Sequence, residues 1–132
     1  MDAHGTANER EYLNGLIEKV VGGVYEVANV LGPGFLEKVY EQALAKELRL
    51  RGIPLETQAA MRVTYKDEVV GTYYADLLVD GRLIVEIKTV ERLAKEHLAQ
   101  CLNYLNATGT KIALLVNFKH ARVEWKRVVN DF

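Results

Sequence analysis

The chain has one cysteine, Cys101, in 132 residues, which excludes an internal disulfide and any metal site built from several thiolates. Prolines number two, and no low-complexity run, linker or internal repeat interrupts the sequence. No stretch approaches the roughly 20 uncharged apolar residues that a membrane-spanning helix needs. The opening Met1-Asp2-Ala3-His4-Gly5-Thr6 lacks the basic stretch and apolar core of a signal peptide, so a cytoplasmic protein without membrane contact is the expectation. An excess of one charge is also missing, since 17 Lys and Arg face 18 Asp and Glu for a net charge of −1. That excludes a protein that holds nucleic acid by a global basic excess. If such a chain acts on DNA or RNA, it needs a local basic patch, bound metal cations, a homodimer or a larger nucleic-acid-processing partner.

What remains is the composition of a globular domain, 49% apolar and 27% charged. The length allows one hydrophobic core and not two. We expect a tail over residues 1–8 and a single domain over 9–132. From residue 9 to 31 apolar side chains recur at helical spacing (Leu13, Leu16, Ile17, Val20, Val24, Val27, Leu31), although Gly22-Gly23 weakens the middle of that helix. Gly32-Pro33-Gly34 stops it. A second helix follows from about Leu36 to Leu50, ended by Gly52-Ile53-Pro54. The pattern then alternates through Met61, Val63 and Tyr65, turns at Lys66-Asp67-Glu68, and continues β-branched and aromatic from Val69 to Val79. Asp80-Gly81 signals a hairpin, with the next strand from Leu83 to Thr89. Helical spacing returns from Arg92 to Asn106. Ile112–Phe118 is a nearly continuous apolar run suited to a buried strand, and Val123–Val129 alternates as a more exposed one. The order α-α-β-β-β-α-β-β implies an α/β protein (more strictly α+β), with one mixed sheet and helices packed on it.

The chemistry concentrates in Tyr74-Ala75-Asp76-Leu77-Leu78-Val79-Asp80-Gly81-Arg82-Leu83-Ile84-Val85-Glu86-Ile87-Lys88. Alternation puts Glu86 and Lys88 on one face with Ile84, and Val85 and Ile87 on the other. Burying a carboxylate and an ammonium in a sheet costs several kcal/mol unless they pair or bind a metal. Hairpin register decides whether Asp76 joins them. A two-residue Asp80-Gly81 loop sets Asp76 opposite Val85, on the wrong face. A three-residue loop with Gly81 left-handed pairs Leu78 with Arg82 and Asp76 with Ile84, so that Asp76 lies diagonal to Glu86 on a shared face. Two carboxylates, with the backbone carbonyl of Ile87 as a third oxygen, suit Mg²⁺ or Mn²⁺ and leave room for water and a phosphate. Lys88 is then placed to orient or deprotonate an attacking water, or to stabilise charge developing on phosphorus. The plainer alternative is a Glu86–Lys88 ion pair at a strand end with Asp76 solvated. The preceding Asp, its spacing and the apolar surroundings favour the metal reading.

Asp76, nine intervening residues and Glu86-Ile87-Lys88 together resemble the signature of the PD-(D/E)XK nuclease superfamily. The resemblance implies a restriction-endonuclease-like core and Mg²⁺- or Mn²⁺-dependent hydrolysis of phosphodiester bonds. Gln100-Cys101-Leu102-Asn103-Tyr104 resembles the Gln-x-x-x-Tyr motif of the superfamily's exonuclease branch, and positions 100 and 104 share a helical face. It implies that Gln100 bonds a metal-bound water or a phosphate and that Tyr104 braces Lys88 or a base. Gly34-Phe35-Leu36-Glu37-Lys38-Val39-Tyr40 is similar to the hallmark of a family of small prokaryotic proteins named GxxExxY, placed in the same superfamily. That likeness implies Glu37 as an outer or additional metal ligand, beside the simpler reading of a first-turn Glu favoured by the helix dipole. His97, one turn before Gln100, is expected exposed. Trp125, with Lys119, Arg122, Lys126 and Arg127 near it, offers a basic and aromatic stretch for single strands, for which a solvated edge strand is the simpler account. A non-catalytic binding module on the same fold is the alternative function.

Overall fold

A computed structural model describes residues 7–130; most of the expected tail, with His4, lies outside them. The elements run α1 (Ala7–Leu31), α2 (Glu37–Leu50), β1 (Leu55–Tyr65), β2 (Glu68–Val79), β3 (Leu83–Lys88), α3 (Lys95–Thr108), β4 (Ile112–Asn117) and β5 (Glu124–Val129). This is the expected order. Helix α1 takes in residues 7 and 8, expected in the tail, with Glu9 in its first turn where the helix dipole favours an acid. It passes unbroken through Gly22-Gly23 because the second glycine is an approach site. A methyl at Gly23 would meet Leu48 Cδ2 of α2 at 3.0 Å.

The five strands form one mixed sheet in chain order, antiparallel except for the β3–β4 pair. Strand β1 starts at Leu55, six residues before the expected Met61, because its first half pairs with the end of β2, Leu55 opposite Val79. Helix α3 starts at Lys95 rather than Arg92. The segment before it is drawn out by Asn117 Oδ1, which accepts the Val90 N–H, and by Glu124 Oε1, which accepts the Leu93 N–H, each at 3.0 Å.

Alternation splits the core in two. Val85, Ile87, Leu114 and Val116 pack with Leu77 and Val79 under α1 and α2. Ile84, Ala113 and Leu115 pack with Tyr73 and Ala75 under α3. Both β1 and β2 therefore change face midway, since Ala75 and Leu77 are two residues apart yet lie in opposite cores. Trp125 is not a free aromatic platform. It packs against the larger core and donates its indole N–H to Tyr25 Oη at 3.1 Å, while Arg127 donates to Asn14 at 2.9 Å, so these residues tie β5 to α1. Among the described residues no helix is long and apolar enough to cross a membrane.

Candidate active site

The β2–β3 hairpin closes on three residues, but not the expected three. Asp80 and Gly81 both take left-handed backbone (φ +52 and +67), and the ladder begins at Val79 opposite Leu83. Asp80 holds this unusual conformation through tertiary contacts that no hairpin rule contains. Its N–H donates to Pro54 O at 2.8 Å, and its carboxylate accepts the Tyr12 hydroxyl. The ladder ends at Leu77 opposite Val85. One further step faces Asp76 with Glu86 directly, rather than with Ile84.

There the strands part, and the carboxylates replace the missing ladder partners. The Asp76 N–H donates to Glu86 Oε2 at 2.9 Å, and the Ile87 N–H donates to Asp76 Oδ2 at 2.8 Å. Each acid thus fixes the other's strand. Burial pushes the Glu86 carboxyl up to about 7, with the neighbouring Asp76 charge adding to it against the Asp76 N–H and the Tyr73 hydroxyl. Burial also raises Asp76, opposed by the Ile87 N–H, while Glu41 and Glu37 raise it further. Four carboxylates therefore share one field.

Glu41 was not among the sequence candidates. It is the most buried acid described, 4% exposed, and it accepts hydrogen bonds from Gln58 Nε2 at 2.8 Å and Lys38 Nζ at 2.9 Å. Its signal was present: Glu41, Leu44, Ala45 and Leu48 all fall on the buried face of α2, so this Glu occupies a core position at helical spacing. Gln58 gave no sequence signal. It also donates to Asp76 Oδ1, at 3.3 Å.

A cleft of about 160 Å³ opens beside Glu86 and Lys88, closed by Tyr73, His97, Gln100 and Tyr104. Gln100 and Tyr104 thus come to the same side as Glu86, as helical spacing requires. Tyr104 lines the cleft together with Lys88. It stacks on Tyr73, with ring centroids 3.9 Å apart and planes 13° from parallel, and the Tyr73 hydroxyl in turn works against the rise of the Glu86 carboxyl. That phenol is pushed far above its ordinary range, by burial first and then by Glu86. His97 is half-buried rather than exposed; its Nδ1 accepts the Ala94 N–H at 2.9 Å, which leaves the proton of the neutral ring on Nε2. Cys101 is buried, its thiol pushed up to about 12 by burial and by Glu86. Among the described residues Lys88 forms no ion pair, so the plain Glu86–Lys88 pairing is not what holds it.

Glu37 opens α2 and sends Oε2 to the chain leaving β3, where it accepts the Thr89 N–H at 3.2 Å. Tyr40 is a structural member of its motif. Fully buried, it stacks on Phe118 at 4.5 Å, donates to Gly32 O at 2.6 Å and accepts the Phe35 N–H at 3.3 Å. The interhelical turn is thereby locked beside Glu37.

The donor chemistry fits a hard divalent cation. Among the described residues no three His, Cys, Asp or Glu side chains form a ready ligand set. The offer is two oxygen donors whose mutual repulsion a cation would relieve, which suits an ion that keeps several waters.

A split core around a mixed five-stranded sheet, with an acid pair where two strands part, defines a restriction-endonuclease-like α+β fold. The profile of the PD-(D/E)XK nuclease superfamily matches residues 14–128, and the chain belongs to that superfamily. Among solved structures it is similar to an alkaline exonuclease from Laribacter hongkongensis (14% identity, TM-score 0.52, covering 70% of this chain and 55% of that one). It is also similar to the protein SSO0001 (19% identity, TM-score 0.54, covering 70% and 49%). At these identities the likeness is one of fold, and the chain spans about half the length of either structure. No curated protein sequence matches the chain.

Proposed function

We propose that the chain is a Mg²⁺- or Mn²⁺-dependent nuclease that hydrolyses phosphodiester bonds of DNA or RNA. The observation that carries this reading is the Asp76–Glu86 couple, two acids held by each other's strands with Lys88 beside them and, among the described residues, without an ion pair. Asp76, Glu86 and the Ile87 carbonyl hold the cation, with Glu37 as an outer or additional ligand, and the cation supplies charge neutralisation at phosphate and a more acidic attacking water. Lys88 orients that water or stabilises charge on phosphorus. Gln100 bonds a water or a phosphate oxygen from the far wall of the cleft. Tyr104, stacked on Tyr73, closes the cleft beside Glu86. The chain fits the small prokaryotic GxxExxY branch and a cytoplasmic setting. With a net charge of −1, a homodimer or a larger nucleic-acid-processing partner supplies further grip on substrate.

Incubation with single- and double-stranded DNA and RNA under Mg²⁺, Mn²⁺ and EDTA tests the proposal. Cleavage that needs the divalent ion, and disappears in Asp76→Asn and Glu86→Gln, is expected. Undiminished cleavage in both purified variants would assign it to another site or a contaminant. The near-neutral charge favours a second reading, a catalytically silent binding module; binding without cleavage under every metal would establish it.

A further inference from the structure

Gln58 sits in the middle of β1 with φ +48, a left-handed backbone that costs a non-glycine residue free energy. Such a conformation persists where its surroundings impose it. Packing does not supply the reason, because Gln58 is exposed. The ladder also skips it: Thr57 pairs with Leu77 and Ala59 with Ala75, but Gln58 and Asp76 between them do not pair. At this same step both strands change face. Leu55 packs with the α1–α2 core and Met61 with the α3 core, and Leu77 and Ala75 divide in the same way. The break thus falls on the two residues whose side chains meet. The Gln58 amide donates one hydrogen to Glu41 Oε1 at 2.8 Å and the other to Asp76 Oδ1 at 3.3 Å. Glu41 is itself fixed, its Oε2 accepting from Lys38 and Gln42 at 2.9 and 3.3 Å.

We infer that Gln58 is a positioning residue for Asp76, a clamp whose amide, anchored on buried Glu41 of α2, sets the direction of the Asp76 carboxylate. With Oδ1 held by Gln58 and Oδ2 by the Ile87 N–H, the carboxylate has no free rotation. Each oxygen keeps one lone pair for a cation. The left-handed backbone falls at the step where the two strands change face, and it is there that the Gln58 side chain meets Glu41 and Asp76 together. The inference rests on the proposed metal role of Asp76 and adds the device that orients it.

Two variants separate the amide from the backbone. Gln58→Gly removes the donor and relieves the left-handed strain; Gln58→Met removes the donor, keeps the length and keeps the strain. Mn²⁺ affinity is read from the free-ion signal in electron paramagnetic resonance, and the melting temperature is measured without metal. Both variants are expected to bind Mn²⁺ roughly three- to tenfold more weakly, the range of one net hydrogen bond. Their melting temperatures should differ, with Gln58→Gly at or above wild type and Gln58→Met below it. A merely structural role would make affinity follow melting temperature, so affinity retained in Gln58→Gly and lost only in Gln58→Met overturns the clamp. Wild-type affinity in both variants overturns it as well, while leaving the metal reading intact. Absence of Mn²⁺ binding by the wild type overturns the metal reading and the clamp with it.

Discussion

Replacing Glu86 by Gln tests the electrostatics of the site without any substrate. The amide keeps the shape of the side chain and an oxygen to accept the Asp76 N–H, but it carries no charge. In the unfolded chain this carboxyl ionises near 4.5, whereas burial and Asp76 move it to about 7 in the fold. Between those values the folded state binds the extra proton. Wild-type stability is therefore fully present below about 4.5 and is lost as pH rises through about 7. At about 1.4 kcal/mol per unit the interval corresponds to some ~3 kcal/mol, and partial exposure to water reduces the working figure to about 2 kcal/mol. For a domain of this size that is a shift of roughly 6–10 °C. In EDTA at about pH 8, Glu86→Gln should melt above wild type by that amount, and at about pH 5 the gap should largely close. Adding Mg²⁺ should raise wild type and leave the variant little changed, since only the binding-competent site gains from ligand. A variant that melts below wild type at about pH 8, or a gap that is the same at both pH values, would refute a destabilising buried charge at Glu86.

Asp76→Asn should lower kcat/KM by at least about 10²-fold on any cleaved substrate while the circular dichroism spectrum stays that of the folded protein. Lys88→Ala should lower kcat by roughly 10²-fold with little change in substrate binding if Lys88 acts at the transition state. In a silent binder it should only weaken affinity modestly and reduce the salt dependence by about one unit, a split that paired turnover and binding measurements resolve. Tyr40→Phe removes the hydroxyl that ties Gly32 to Phe35 and should cost about 1–2 kcal/mol in urea unfolding. Tyr104→Leu abolishes the ring stack on Tyr73 and should cost about 1 kcal/mol; wild-type unfolding free energy in this variant would show the stack to be incidental.

The element order was legible because the hydrophobic period changes cleanly along the chain. Spacing of 3.6 holds from Leu13 to Leu31 and again from Tyr40 to Leu48, while Ile112–Asn117 is apolar at every position but the last, as a strand covered on both faces demands. Boundaries were less legible, because they depend on partners distant in sequence. The half of β1 before Met61 pairs along the end of β2, and the start of α3 is delayed by Asn117 and Glu124 from the far side of the sheet. Neither constraint leaves a local pattern.

The site divides along the same line. Asp76, Glu86 and Lys88 stand out because ionisable groups in apolar strands are costly, and Gln100 with Tyr104 because a helix repeats its face every four residues. Hairpin chemistry reached the correct face for Asp76 with the wrong partner. The turn is set by the Tyr12 and Pro54 contacts of Asp80, and a two-residue error in register preserves facing while moving the contact. Tyr104 had a legible address, whereas its stack on Tyr73 depends on packing between α3 and β2 and leaves no local pattern. Glu41 was legible in principle, as an acid on the buried face of a helix. Gln58 was not, because the groups it joins, Glu41 and Asp76, lie 17 and 18 residues away in sequence and leave no local pattern. The residues that could be read in advance are those whose chemistry conflicts with their surroundings. Gln58, which could not be read, eases that conflict by donating to Asp76, and it does so from β1, an element that the Asp76-to-Lys88 stretch does not contain.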